Sequence, residues 1–275
     1  MELTEFLNRL NLENTTVILQ KRKENVNIEG TTVEKTGIRS YLTKTFFDQG
    51  SVAVSGFMEY TEPFPEMPFE VLVNDLRNVA SWCKNIRLEG KTLYWDDGTE
   101  FRSGTLPLLS DPAEIKMKRF NEDVFQFSKT NILKADEIER ILEGYDFIKP
   151  EHLYVDSREK EAVFRMENVE GKTMQVRTGS IGVLKMTYPK MFVDILRLVS
   201  KKDILVSYSE IMRLVSKKDI LVSCSEIKKI IRLTFVDTNT HLDYYIHPIS
   251  VGLSQERKQK KESEEEQNQN GEEDE

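Results

Sequence analysis

The chain has 275 residues and a formal net charge of −8, with 39% hydrophobic and 31% charged residues. That is enough apolar material for a packed core in one large or two ordinary domains, which excludes global disorder. No apolar run approaches the roughly 20 residues that cross a bilayer, and Met1-Glu2-Leu3-Thr4-Glu5 offers no basic or apolar leader, so neither a membrane nor a secreted protein is expected.

Leu3, Phe6, Leu7 and Leu10 share one helical face and predict a short first helix. Residues 15–47 are rich in strand formers, and residues 51–60 alternate Val52, Val54 and Phe57 as a further strand. Pro63, Pro65 and Pro68 break the chain before a helix predicted over residues 70–84, with Leu72, Leu76, Val79, Ala80 and Cys83 as its apolar stripe. Strands follow over residues 86–88, 92–95 and 101–106, with a turn at Asp96-Asp97-Gly98. Residues 108–123 read as a linker, since Pro107 and Pro112 oppose regular structure while Leu108, Leu109, Ile115 and Met117 supply packing groups.

The second half repeats this order. A helix is predicted over residues 134–144, with Gly144 as its C-cap. Strands follow over residues 152–156, 162–167, 173–178 and 183–187, then a helix over residues 189–200 and a closing hairpin over residues 230–249. The expected units are therefore residues 1–107, a linker 108–123, a second unit 124–253, and a tail 254–275. From Gln255 to Glu275 the tail holds nine acids, four bases and almost nothing to bury, which predicts a disordered acidic segment. Subtracting its net −5 from −8 leaves −3 on residues 1–254.

One repeat is at the level of residues. Residues 196–211 read LRLVSKKDILVSYSEI and residues 212–227 read MRLVSKKDILVSCSEI, matching at fourteen of sixteen positions. A recent tandem duplication or an artefact of sequence assembly produces such a match; chance does not. The start of copy one continues the preceding helix and the end of copy two leads into the closing hairpin. The surplus is therefore expected around residues 207–218.

No catalytic motif stands out: there is no phosphate-binding Gly-rich loop ending in Lys-Ser/Thr, no Gly-x-Ser-x-Gly and no His-Glu-x-x-His. His152, His241 and His247 lack cysteine neighbours at metal-ligand spacing, so no metal, cofactor or enzymatic activity is expected. Cys83 and Cys224 are too few for a disulfide framework and point to an intracellular, reducing setting. More informative are the polar helix faces. Asn74, Arg77, Asn78, Ser81 and Lys84 recur at helical spacing, as do Lys190, Asp194, Arg197 and Lys201, with Lys202 adjacent. The first helix of each half adds Arg9 and Arg140. Each face reads as a solvated surface or as a sequence-independent track for phosphates.

Two stretches carry a family resemblance. Leu242-Asp243-Tyr244-Tyr245-Ile246-His247-Pro248-Ile249, followed by an acidic tail, is similar to the closing strand of DNA sliding clamps of the proliferating cell nuclear antigen type. Phe127-Ser128-Lys129 and Leu133-Lys134-Ala135-Asp136-Glu137-Ile138-Glu139-Arg140-Ile141-Leu142 resemble the second-domain start of T-even phage clamps. His247 and Ile249 depart from the closing motif, and the duplication has no counterpart in the family pattern.

The resemblance implies an α+β fold of two tandem clamp domains, each with two helices packed on antiparallel sheet. It implies a homotrimeric ring around duplex DNA, closed by residues 100–106 of one subunit against residues 173–179 of the next. The implied function is that of a polymerase processivity factor, viral or phage-like, with DNA polymerase and a clamp loader as partners at replicating DNA. The expected DNA contacts are Arg9, Asn74, Arg77, Ser81, Lys84, Arg140, Lys190, Arg197, Lys201 and Lys202. The expected partner-peptide groove is walled by Leu108, Leu109, Ile115, Met117, Tyr245, Ile246 and Pro248. The alternative is a non-enzymatic, clamp-like adaptor that binds proteins without encircling DNA.

Overall fold

The computed structural model describes residues 3–12, 15–28, 31–46, 50–99, 101–115, 126–127, 130–200, 220–237 and 239–249. Four helices and fifteen strands lie within them. The first half contains α1 (Leu3–Leu10), β1 (Thr16–Ile28), β2 (Thr31–Phe46), β3 (Gly50–Glu59), β4 (Phe69–Leu72), α2 (Val73–Ala80), β5 (Asn85–Glu89), β6 (Thr92–Asp96) and β7 (Ser103–Pro107). The second contains β8 (Asn131–Leu133), α3 (Ala135–Ile148), β9 (His152–Ser157), β10 (Glu161–Glu167), β11 (Thr173–Gly179), β12 (Leu184–Pro189), α4 (Met191–Ser200), β13 (Ile220–Cys224), β14 (Ile231–Asp237) and β15 (Thr240–Ile246).

The strands form three antiparallel sheets. An eight-stranded sheet runs β4-β1-β2-β3-β15-β14-β13-β8, a four-stranded one β11-β10-β9-β12, and a three-stranded one β5-β6-β7. The two halves meet inside the large sheet, where β15 pairs antiparallel with β3 from Thr240↔Met58 to Ile246↔Val52. α1 packs against α2 and α3 against α4. One continuous core joins α1 (Phe6, Leu7, Leu10), the large sheet (Val54, Leu242, Tyr244) and the second half (Phe164, Tyr188, Phe192).

Both faces of β15 are used. Leu242, Tyr244 and Ile246 belong to the main core, while Tyr245 packs with Ala53, Ile230 and Phe127 in a separate small cluster. Alternation that buries both faces is what a strand between two covered surfaces requires.

Helix boundaries differ from the sequence expectation at three ends; one of them is the end of α2, which stops at Ala80, so that Ser81 is its C-cap and Lys84 lies beyond the helix. Residues 69–72 extend the large sheet, pairing Thr16↔Leu72 through Leu19↔Phe69, and the helix starts only at Val73. Phe69 and Val71 are buried while their neighbours are half-buried, a period of two that outweighs the longer helical stripe. α3 runs four residues past Gly144 and ends at Lys149, whose φ of 53° supplies the left-handed C-cap. Gly144 lies inside the helix because a Cβ there would sit 3.1 Å from Met174 Sδ and 3.3 Å from Met166 Sδ. α4 contains the start of copy one and β13 lies in copy two; residues 201–219, including the expected surplus, lie outside the described residues, as do residues 250–275.

Candidate functional site

The expected DNA-contact residues divide into three groups. Arg77 on α2 is half-buried, while Ser81, Lys84 and Lys190 are exposed. Among the described residues Arg77, Lys84 and Lys190 have no ion-pair partner, so their charge is available to a ligand. Asn74 is half-buried on the same helix.

The second group is engaged with its own chain. Arg140 pairs with Asp136 at 3.2 Å, one helical turn earlier. Arg197 pairs with Asp146 of α3 and, at 3.6 Å, with Asp194, and lies 5.7 Å from the Tyr145 ring. It is thus a staple between α3 and α4. Burial pushes the Tyr145 phenol up to about 12, with Asp194 adding to the rise and Arg197 opposing it.

The third group is displaced. Arg9 is 3% exposed, so it is a core residue and not a surface contact. Its guanidinium carbon lies 3.7 Å from the centroid of the Phe235 ring, and Nη2 reaches Glu5 at 3.5 Å. Nε and Nη1 have no hydrogen-bond partner among the described residues, so the Glu5 carboxylate and the Phe235 ring face together offset burial of the charge. The period of α1 placed Arg9 on the polar side, but β14 covers that side. Lys201 and Lys202 lie outside the described residues.

The expected groove is also redistributed. Leu109 is 47% exposed, and its N–H donates to the Glu70 carbonyl at 3.1 Å, fixing the chain just after β7 beside β4. Leu108 is half-buried against the main core, and Ile115 and Pro248 are half-buried. Tyr245 and Ile246 are 0% exposed and cannot border a surface depression as expected. Tyr245 is sealed by Phe127, with ring centroids 5.9 Å apart, and Arg232 stacks 4.6 Å above Phe127. Met117 lies outside the described residues.

Both strands expected at a subunit contact are outermost in their sheets: β7 ends the three-stranded sheet and β11 the four-stranded one. β11 is held in place by Glu137, whose carboxylate accepts from Gly179 N–H at 2.7 Å and from Lys134 N–H at 2.8 Å. One side chain thereby caps α3 and fixes the end of the edge strand. Large apolar groups stand exposed beside both edges. Phe101 (93%) lies just before β7 and Trp82 (51%) stands 5.8 Å from the Arg102 guanidinium beside it, while Val169 (88%) is in the turn before β11 and Phe147 (75%) is on α3, the helix that packs on β11. Composition gave no sign of these, because each stands alone in sequence.

A cleft of about 710 Å³ opens over the four-stranded sheet, lined by His152, Tyr154, Arg165, Glu167, Met174 and Thr187 among others. None of the expected groove residues lines it, although Ile249, next to Pro248, donates its N–H to the Thr187 carbonyl at 2.9 Å. Among the described residues no group of three or more His, Cys, Asp or Glu is placed to hold a metal ion, and no helix is long and apolar enough to cross a membrane.

No family model matches the sequence, and no curated protein matches it. Solved structures do. The PCNA of Thermococcus kodakaraensis superposes with a TM-score of 0.55 at 14% identity, over 89% of this chain and 95% of that one. A putative DNA polymerase III beta subunit from Eubacterium rectale gives 0.55 at 11% identity, over 90% of this chain and 63% of that one. At such identities the likeness speaks of architecture, and the α+β arrangement of paired helices on antiparallel sheets is the clamp fold of these two proteins.

Proposed function

We propose that the chain is a DNA polymerase sliding clamp, a non-enzymatic processivity factor that encircles duplex DNA without reading sequence and tethers its polymerase. The observation that carries this reading is that β7 and β11, the two strands expected to meet between subunits, both lie at sheet edges on a clamp fold. A heterologous contact between two different edges of one chain closes into a ring when the rotation permits. It also covers edges that otherwise invite aggregation. Three copies of a two-unit chain, residues 1–107 and 124–253, give six similar units. Arg77, Ser81, Lys84 and Lys190 supply the described part of a phosphate track, with Lys201 and Lys202 as further candidates. Leu108, Leu109, Ile115 and Pro248 are the candidate walls for a partner's apolar peptide, and a clamp loader is the implied opener of the ring.

The ion pairs of Arg140 and Arg197 and the burial of Arg9 favour a second reading, an adaptor that does not encircle DNA, because they thin the cationic track. Two measurements separate the readings. Native mass of the purified chain is expected at three times 32.0 kDa. Retention on nicked circular DNA is expected to vanish when the circle is linearised. A monomer that never resists dilution from circular DNA supports the adaptor.

A further inference from the structure

The large sheet has one slot here, and the duplication gives the chain two sequences suited to it. β13 fills the slot with copy two, between β14 and β8. Ile220, Val222 and Cys224 are buried there, and the Ser223 hydroxyl accepts from Arg232 Nε at 3.0 Å. Copy one carries the same residues in the same order: Ile204, Leu205, Val206 and Ser207 match Ile220, Leu221, Val222 and Ser223. A shift by the whole unit would therefore keep every side chain on its present face, unlike a one-residue slip.

α4 ends at Ser200, β13 begins at Ile220 and β14 begins at Ile231. In the shifted register the long connection would follow the strand instead of preceding it. Closure entropy grows only with the logarithm of loop length, so lengthening the following connection costs little, while residues 201–203 would be left to join α4 to the strand.

One position breaks the symmetry. Cys224 is 0% exposed and its Sγ is 4.0 Å from the Val183 carbonyl. Copy one would bring Tyr208 to this point. Forcing extra side-chain volume into a packed core disfavours a state by roughly 5- to 140-fold. We propose that the chain has two available registers for the seventh strand of its large sheet, and that the Cys224/Tyr208 difference selects copy two. This inference is independent of the proposed function.

Leu221 lies opposite Ile132 on β8, so cysteine pairs report the register. In a C83S background, I132C/L221C traps the observed register and I132C/L205C the shifted one, each read by mass spectrometry of cross-linked peptides. In the parent chain the 132–205 link is expected below a few per cent. In Y208C, which makes the two five-residue sequences identical, it should rise at least ten-fold. A 132–205 link that stays at the parent level in Y208C, while 132–221 still forms, overturns the proposal. So does a parent chain in which both links form equally. Two single-copy deletions give a second reading that does not depend on oxidation. Removal of residues 196–211 keeps cysteine in the slot, whereas removal of residues 212–227 places tyrosine there. The second should unfold at lower urea; equal midpoints also overturn the proposal.

Discussion

The hydroxyl of Tyr244 donates a 3.0 Å hydrogen bond to the main-chain carbonyl of Arg9. The acceptor lies in the last turn of α1, where helical carbonyls lack partners within the helix. The donor is fully buried in β15, and burial pushes its phenol pKa upward, so it stays protonated across the neutral range. The bond ties the start of the chain to its final strand. Tyr244→Phe should cost about 1–3 kcal/mol, the penalty for stranding a buried acceptor. Urea unfolding at neutral pH measures it, and an unchanged midpoint would show that water reaches the Arg9 carbonyl.

Charge reversal separates core arginine from surface cation. Arg77→Glu with Lys190→Glu should reduce retention on circular DNA and lower the slope of retention against salt, since fewer phosphates are neutralised. Stability should change by less than about 0.5 kcal/mol per site. Arg9→Glu, by contrast, should reduce soluble protein, because it places a carboxylate against the face of Phe235. Unchanged DNA retention in the double variant would remove Arg77 of α2 and Lys190, just before α4, from the track.

Asp243 predicts a pH dependence. Burial raises its carboxyl pKa, but the charge and 2.7 Å hydrogen bond of His241, the Thr234 hydroxyl at 2.5 Å and the charge of Arg232 outweigh that, and the net shift is downward from 3.8. A carboxyl depressed on folding contributes its stability in full above the unfolded value. The contribution is lost as pH falls through the lower folded value. Asp243→Asn should therefore cost about 1–3 kcal/mol at pH 7 and less in strong acid. Denaturant midpoints of both proteins at several pH values test this, and parallel curves would refute it.

Leu109→Ser probes the exposed wall beside β4. It should weaken binding of an apolar, polymerase-derived peptide several-fold while leaving the native mass unchanged. Fluorescence anisotropy of a labelled peptide is the readout, and equal affinity would move the groove elsewhere, with the cleft at Tyr154 and Arg165 as the next surface to probe.

The order of elements was legible in the sequence because strands and helices impose different spacings on apolar residues. Phe6, Leu7 and Leu10 announced α1, and Val52 and Val54 announced β3. What could not be read was coverage by a partner element distant in the chain. Arg9 sits on the polar side of its helix by period, yet Phe235 covers it. Tyr245 alternates outward from Tyr244, yet Phe127 seals it. Gly144 carries a helix-stop signal, but two methionine sulfurs approach too closely for a larger residue without adjustment. Arg197 continues a basic stripe only until Asp146 of the adjoining helix is brought beside it. In each case a local rule gave the residue's direction, and a tertiary neighbour decided its role.

Pairing of β3 with β15 has a consequence for synthesis. Val52 meets Ile246 across the sheet, so the strand that completes the first half leaves the ribosome only after nearly all of the second. At typical rates of elongation the wait is roughly 10–40 s. Throughout that interval the β3 edge offers unsatisfied main-chain donors and acceptors, and Val52 and Val54 lack their final cover. The nascent first half is thus the stage most exposed to strand-capturing neighbours, and a chaperone that shields one sheet edge would serve this chain more than one that merely holds an unfolded polypeptide.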